Sequence, residues 1–230
     1  MQMQAESPDE EALVKAAAEF GWTFVGREQQ DPPDGSSATT ATNGAGTVVT
    51  LKRAHEGSDH ALVFFDLLAT IPFTSDRKRM SVIVRKRVVP SHSPAARAAG
   101  SRKRAGDGGE GGDGEILLYC KGADNILMDR CSAFADASAA ELRPGSGPGP
   151  GEDFSSAAYL QAQKAEMMQQ LNSFASDGLR TLVVARRSLS ERELEQFRRS
   201  REAALSSLLD KDAMLAEAAD AVERNLCIIG

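Results

Sequence analysis

Six short segments rich in β-branched and aromatic residues limit what this chain can fold into. They lie at residues 22–25, 47–51, 61–71, 80–87, 116–120 and 181–185, and each has the composition of a β-strand. Parallel strands need a crossover connection of about a dozen residues or more, and several of these segments lie closer together than that. The sequence therefore predicts a mainly antiparallel β-sheet.

A helical pattern precedes the first of these strands. It covers residues 8–20, where Ser7 can cap the helix, Pro8 suits the first helical position and Gly21 ends it. The predicted buried face of this helix consists of Leu13, Val14, Ala17 and Phe20.

Three further helical regions lie at residues 123–130, 156–176 and 191–223, the last with a break near Asp210. The second of them places Leu160, Met167, Leu171 and Phe174 on one face, and Gly178 is its expected C-cap. Antiparallel strands with helices gathered around them predict an α+β fold, a mainly antiparallel β-sheet flanked by helices.

Length and composition predict a single domain over residues 1–230. Of the 230 residues 41% are hydrophobic, which is enough for one core. Three low-complexity stretches, at about 28–45, 90–114 and 134–155, are rich in Gly, Pro, Ser and Ala and are predicted to be loops. Apolar runs stay short of the roughly 20 residues of a membrane helix, and the acidic start is unlike a signal peptide, so we expect a soluble, cytoplasmic chain.

Charge and motif content exclude several functions. The formal net charge of -6 argues against a uniformly basic surface for nucleic acid. The GxxxxGK[ST] motif of phosphate-cradling P-loops is absent, and the histidines lack metal-ligand spacing. Cys120, Cys131 and Cys227 have no CxxC spacing, so we expect buried free thiols. Any anion-binding site must therefore be local.

Three cationic turns at strand ends are candidates for such a site. In FTSDRKRMSVIVR, residues 73–85, Phe73 offers a ring for base stacking and Lys78 a compact positive charge, although an exposed basic turn before a core strand has the same pattern. In CKGAD, Lys121 precedes a glycine and a helix start, a pattern of anion sites and of ordinary turns alike. In DGLRTL, Arg180 can bind phosphate in bidentate fashion or pair with a surface acid. Together the turns predict one converging anion site.

Taken in order, the blocks ESPDEEALVKAA, FTSDRKRMSVIVR, CKGAD and DGLRTLVVARR resemble four consecutive blocks of the nucleotide-binding domain of P-type ATPases. The first two blocks are similar in form to the phospholipid-flippase subfamily rather than to the cation pumps. The tail AVERNLCIIG resembles the segment that returns to the phosphorylation domain. The resemblance covers nearly the whole chain outside the three low-complexity stretches.

This resemblance implies an ATP-binding site. Its residues would be Glu10, Phe73, Ser75, Lys78, Lys121, Arg180 and Thr181. Phe73 would stack on adenine, Arg180 would reach the phosphates, and Glu10 would accept a hydrogen bond from the adenine amino group. Ser75 and Thr181 are included because they adjoin Phe73 and Arg180 in matching motifs. ATP would arrive as the Mg-ATP complex, with no protein ligand for Mg²⁺ and no catalytic residue on this chain.

Other blocks of that family are missing from this sequence. The DKTGT block with the phosphoryl-accepting aspartate, the TGES block, the distal magnesium-site aspartates and the membrane helices are absent. We therefore expect binding of ATP without hydrolysis, in an excised domain or a fragmentary gene model. The implied partners are the phosphorylation, actuator and membrane domains of a parent phospholipid pump, with this domain on the cytoplasmic side of its membrane.

Three other hypotheses remain open. One is the same domain from a cation-transporting P-type pump. Another is a small stand-alone kinase or nucleotidase, which requires an acidic metal site for which Asp76 and Asp124 are the candidates. The last is a nucleic-acid or import-signal module built on the cationic runs at residues 77–79 and 102–104, against which the acidic balance of the chain counts.

Overall fold

The computed structural model describes residues 8–29, 47–53, 61–87, 114–134, 157–207 and 209–230. Ser7 and nearly all of the three low-complexity stretches lie outside these residues. Within them the helices are α1 (Pro8–Glu19), α2 (Asp124–Arg130), α3 (Ala157–Ser176), α4 (Glu191–Ser206) and α5 (Lys211–Val222). The strands are β1 (Trp22–Gln29), β2 (Thr47–Arg53), β3 (Ala61–Ile71), β4 (Arg79–Lys86), β5 (Ile116–Gly122), β6 (Cys131–Phe134), β7 (Val183–Leu189) and β8 (Leu226–Ile228).

The strands are hydrogen-bonded in the order β1-β2-β3-β4-β5-β7-β8-β6. The pairs β1–β2, β2–β3, β5–β7 and β7–β8 are antiparallel, whereas β6 and β8 are parallel. The predicted α+β fold with a mainly antiparallel sheet is therefore confirmed. The sequence missed β6 and β8, because strands of four and three residues are too short to show a pattern of alternation.

By its contacts the chain divides into two compact units. The first comprises Met1–Ala69 and Val84–Glu115, and the second comprises Thr70–Ile83 and Ile116–Gly230, so that β3 and β4 each contribute to both.

In the first unit, α1 lies against β1, and β1 pairs with β2 from Trp22↔Arg53 onward. Gly21, with a φ of 82°, ends the helix as expected. The predicted buried face of α1 is wrong, since no residue of this helix is buried and Phe20 is 84% exposed. Helical spacing shows which face is apolar, but only a neighbouring element can cover that face.

In the second unit the core is built from β-strands and from the four helices α2, α3, α4 and α5. Its most deeply buried side chains include Ile83, Leu118, Leu127, Val183, Leu194, Leu226 and Ile228. Helix α3 ends as predicted, with Gly178 at a φ of 75° and the Leu179 N–H donating to the Phe174 carbonyl at 2.9 Å. The predicted apolar face of α3 is only partly covered, because Leu171 is buried while Phe174 is 47% exposed.

The long helical region at the C-terminal end is interrupted near Asp210, as the sequence predicts. Helix α4 begins with a capping box between Ser190 and Glu193, and it ends at Ser206. Asp210 stands at the N-terminal cap position of α5. No helix in the described part of the chain is long and apolar enough to cross a membrane.

Candidate functional site

The segment of residues 72–79, which comprises the loop between β3 and β4 and the first residue of β4, is held in a defined conformation by hydrogen bonds. We call it the 72–79 loop. The Lys78 N–H donates to the Thr74 carbonyl at 2.8 Å, and the Arg77 N–H donates to Thr74 Oγ1 at 3.2 Å. The backbone of Lys78 has a φ of 51°. This angle lies in the left-handed region, which residues other than glycine seldom adopt. Within this loop Phe73 is 59% exposed, and Ser75 and Lys78 are exposed as well.

The two arginines beside Lys78, unlike Lys78 itself, have side chains that lie largely inside the protein. Arg79 is only 3% exposed, and the side chain of Arg77 is 10% exposed. On β4 the most buried face is formed by Arg79, Ser81 and Ile83, while Met80 and Val82 are half-buried. The view of residues 77–79 as an exposed basic run is therefore wrong, because only Lys78 of the three cations is exposed.

A buried carboxylate explains why these arginines can be inside the protein. Glu223, which follows α5 directly, is 0% exposed. Its Oε1 accepts from Arg77 at 2.5 Å and from the Ser81 hydroxyl at 2.6 Å, and its Oε2 accepts from Arg79 Nε at 2.6 Å. A buried charge is tolerated only when it is paired and hydrogen-bonded, and here each charged side chain is, although the buried Arg77 Nε has no hydrogen-bond partner among the described residues.

Asp220, one helical turn earlier on α5, extends this set. Its carboxylate pairs with Arg79 and lies 3.1 Å from Arg130 of α2. Arg130 also donates to the Glu223 carbonyl at 3.4 Å. We call Arg77, Arg79, Ser81, Arg130, Asp220 and Glu223 the Glu223 network. Local sequence patterns do not predict this network, because its partners are up to 146 positions apart in the chain.

The CKGAD block lies directly against the 72–79 loop. The Ala123 N–H donates to the Lys78 carbonyl at 3.0 Å. A Cβ on Gly122 would stand 2.6 Å from the Lys78 carbonyl oxygen and 2.6 Å from the Arg79 Cβ, which is closer than real Cβ atoms approach. Gly122 is therefore required by the close approach of these two chain segments, and Lys121 beside it is half-buried.

The DGLRT block reaches the same edge through the pairing of β5 with β7. Gly122 is opposite Val183 in this antiparallel register, so the residues just before Val183 lie near the end of β5. Arg180 is exposed and Thr181 is half-buried. Both precede β7, which begins at Val183 rather than at the predicted residue 181.

The structure thus brings three sequence blocks together in the second unit. The start of β4, the end of β5 and the start of β7 meet there. The predicted site residues on these ends or in the turns next to them are Phe73, Ser75, Lys78, Lys121, Arg180 and Thr181. Glu10 stands in the first turn of α1, in the first unit, and is half-buried. An exposed ring with cations on neighbouring turns is a donor set that suits a nucleotide.

A groove elsewhere on the second unit does not coincide with this edge. It has a volume of about 340 Å³ and is lined by Arg192, Glu195, Gln196, Arg199 and Ser200 of α4. Because one helix supplies all of these residues and the three cationic turns supply none, we do not associate the groove with the predicted site.

The cysteines are free thiols, as expected. Cys120 is buried, and this burial raises the pKa of its thiol to about 11. Cys131 and Cys227 are only half-buried, and burial raises the pKa of these thiols as well. Among the described residues no group of three or more His, Cys, Asp and Glu side chains is arranged to hold a metal ion.

The chain is similar over its whole length to parts of much longer proteins. It is 32% identical over 230 residues, all of this chain, to "Phospholipid-transporting ATPase DNF1" of Chaetomium thermophilum, of which it covers 10%. It is 30% identical over 227 residues, 99% of this chain, to the human "Phospholipid-transporting ATPase VB", of which it covers 12%. "Phospholipid-transporting ATPase 10" of Arabidopsis thaliana is 32% identical over 228 residues, 99% of this chain and 14% of the relative. The chain therefore spans about a tenth of the length of these relatives.

The chain also matches the sequence model of a protein family. The model described as "P-type ATPase, cytoplasmic domain N" matches residues 2–146, more than half of the chain. The matched range includes the SPDE, FTSDRKRMSV and CKGAD blocks. This chain belongs to the family of P-type ATPase cytoplasmic N domains.

Proposed function

We propose that this chain is the ATP-binding domain of a phospholipid-transporting P-type ATPase. The observation that carries the proposal is the meeting of three cationic turns at one edge of the second unit, with the exposed Phe73 ring on one of them. The similarity of the whole chain to phospholipid-transporting ATPases supports this subfamily over the cation pumps. In the parent pump the domain would lie on the cytoplasmic side of the membrane.

In this proposal the adenine base stacks on Phe73. Stacking of a base on an aromatic side chain contributes about 1 to 3 kcal/mol. Lys78 and Lys121 supply positive charge, Arg180 reaches the phosphate oxygens, and Ser75 and Thr181 lie beside these contacts. For Glu10 the proposal is a hydrogen bond from the adenine amino group, and a Glu10→Gln variant with weakened ATP binding would support it.

The metal would enter with the nucleotide. When bound, Mg²⁺ would supply positive charge that neutralises the charge developing on the phosphates during phosphoryl transfer. The residues of this chain would hold and orient the Mg-ATP complex, and the phosphorylation domain of the parent pump would supply the aspartate acceptor. Its actuator and membrane domains would complete the transport of phospholipid between leaflets.

A titration of the 230-residue chain with Mg-ATP, followed by calorimetry and NMR, tests the proposal. We expect saturable binding that weakens in Phe73→Ala and in Lys121→Ala, with no phosphate released. Phe20→Ala is the matched control, because Phe20 is an equally large and 84% exposed ring at the far end of α1 from Glu10. Binding that neither site variant weakens would contradict the site, and release of phosphate would favour a stand-alone nucleotidase.

A further inference from the structure

We propose that Glu223 is a positioning residue for ATP, which holds the 72–79 loop in its binding conformation by pairing with both arginines that flank Lys78. This inference rests on the proposed function, since it concerns the same site. Glu223 itself is 0% exposed and therefore acts through the loop and not on the nucleotide.

Both oxygens of this one carboxylate are engaged by the loop and by β4. Oε1 accepts from Arg77 and from Ser81, and Oε2 accepts from Arg79 Nε. Hydrogen bonds to an ionised acceptor in a buried environment are the strong ones in proteins. Arg77 and Arg79, the residues before and after Lys78, are therefore both bound to the carboxylate of Glu223, just after α5.

The arginines pass this restraint on to the loop backbone. Arg77 donates through its other terminal nitrogen to the Pro72 carbonyl at 2.7 Å, and Arg79 donates to the Arg77 carbonyl at 3.0 Å. Glu223 thus restrains the loop from its first residue, beside Phe73, to its last. Asp220 of α5 pairs with Arg79 and with Arg130 of α2, and Arg130 also donates to the backbone carbonyl of Glu223, so both residues brace Arg79 and the chain at Glu223.

The backbone of Lys78 shows why such a restraint is needed. A φ of 51° is unfavourable for a residue with a side chain, and it persists only where the surroundings enforce it. Here the surroundings are the two paired arginines together with the hydrogen bond from Ala123 to the Lys78 carbonyl. With Arg77 and Arg79 turned inward, the Lys78 side chain and the Phe73 ring are left on the exposed side.

Glu223→Gln is the decisive variant, because two explanations predict opposite signs. Removing a negative charge near an ATP site strengthens binding of the anionic ligand if only the electrostatic field matters. If Glu223 positions the loop, binding becomes weaker, and we expect a loss of about tenfold, since part of the binding energy is then spent on ordering the loop. Adenosine, which has no phosphate, should lose affinity by a similar factor.

Calorimetry with ATP and adenosine, and the NMR shifts of the adenine protons, provide the readouts. The shift that the Phe73 ring imposes on the adenine protons should shrink in Glu223→Gln at full saturation. Glu193→Gln is the matched control, because it also converts a paired carboxylate of the second unit, bound to Arg187 and Ser190 and not to the loop. This control should bind both ligands like the unaltered chain.

A second variant keeps the test valid if Glu223→Gln does not fold. Arg77→Lys retains the positive charge and leaves the Arg79–Glu223 pair in place. A lysine has no guanidinium group, so it lacks the two terminal nitrogens through which Arg77 donates to Pro72 and to Glu223. We expect this variant to be folded and to show the same weakened binding and the same smaller shift.

The outcomes separate this inference from the proposed function. If the unaltered chain binds ATP and Phe73→Ala weakens binding, while folded Glu223→Gln or Arg77→Lys binds both ligands like the unaltered chain, the positioning role is overturned and the ATP site stands. If the unaltered chain binds no ATP, both proposals are overturned. Weaker binding of both ligands together with the smaller adenine shift supports the positioning role.

Discussion

Two cationic turns of the second unit have similar sequences but opposite surroundings. The turn at residues 77–79 and the turn around Arg180 both place arginine just before an apolar strand. Arg79 is 3% exposed and bonds to two carboxylates of the α5 region, whereas residues 172–180 are all exposed.

The difference teaches that a cation in a turn has two separate uses. Arg77 and Arg79 bind protein carboxylates inside the second unit, whereas Arg180 is exposed, and phosphate binding by Arg180 is part of the proposed function. The local charge pattern alone does not show whether an arginine in a turn is buried or exposed. The carboxylates that pair with the buried arginines, those of Asp220 and Glu223, come from a distant part of the chain. Substitutions should therefore affect stability as well as ligand binding at the first turn, and ligand binding alone at the second.

The largest expected effect is on the stability of an Arg79→Met variant. Methionine keeps much of the side-chain volume but leaves the buried Glu223 with one pairing arginine fewer. Breaking a buried ion pair from one side typically costs about 3 to 5 kcal/mol, and we expect a loss near the lower figure because Arg77 and Ser81 still bind Glu223. Urea unfolding measures this change, and a loss below about 1 kcal/mol would show that the network contributes little.

The next effect concerns Cys120, which is buried beside the Glu223 network. Burial, with a smaller contribution from the negative charge of Glu223, raises the pKa of this thiol from 9.0 to about 11. Between pH 9 and 11 the unfolded chain therefore loses the proton while the folded chain keeps it, so the free energy of unfolding falls as the pH rises. The fall from this thiol is at most about 3 kcal/mol.

Unfolding titrations of the unaltered chain and of Cys120→Ala over that pH window measure the contribution. All other titratable groups are common to the two proteins, so the difference between the two pH profiles isolates the Cys120 thiol. Parallel pH profiles for the two proteins would contradict the prediction.

A methyl group at Gly122 tests how tightly the first turn is packed. The added Cβ would collide with Lys78 and Arg79, and overpacking of this kind costs about 1 to 3 kcal/mol. We expect Gly122→Ala to weaken ATP binding too, because the 72–79 loop must shift to admit the methyl group. Gly178→Ala is the counterpart at the second turn, where no atom lies within 4 Å of the new Cβ and only the backbone φ of 75° resists the change.

The smallest effect on stability is expected for Arg180→Ala. Exposed surface substitutions usually change stability by less than about 0.5 kcal/mol. Binding should respond differently, since the proposed contact is with phosphate: affinity for ATP should fall while affinity for adenosine stays the same. Equal losses for the two ligands would argue against a phosphate contact and would make this turn resemble the first one.

Local patterns in the sequence predicted most of the secondary structure. Gly178 after α3 and the break near Asp210 were expected from short-range rules of helix termination, and the structure has both. The same kind of rule failed for α1, where Leu13 is 41% and Phe20 is 84% exposed. Whether an apolar stripe is covered depends on elements that the stripe itself does not specify.

The candidate site could be predicted only in part for the same reason. Motif order indicated that Phe73, Lys78, Lys121 and Arg180 belong to one site, and pairing of Gly122 with Val183 is the register that brings two of these blocks together. The close approach of Gly122 to the 72–79 loop was not readable from the chain, because it depends on the φ of Lys78 and on packing between strands.

By itself, the sequence determined the element types, the α+β class and the order of the family blocks, since these depend on residues a few positions apart. Only the tertiary structure decided which cations are exposed and which are paired inside. The buried Glu223 lies 144 positions after Arg79, and burying either charge alone would be prohibitively costly. Folding of the C-terminal segment onto β4 is therefore what turns Arg77 and Arg79 inward and leaves Lys78 exposed.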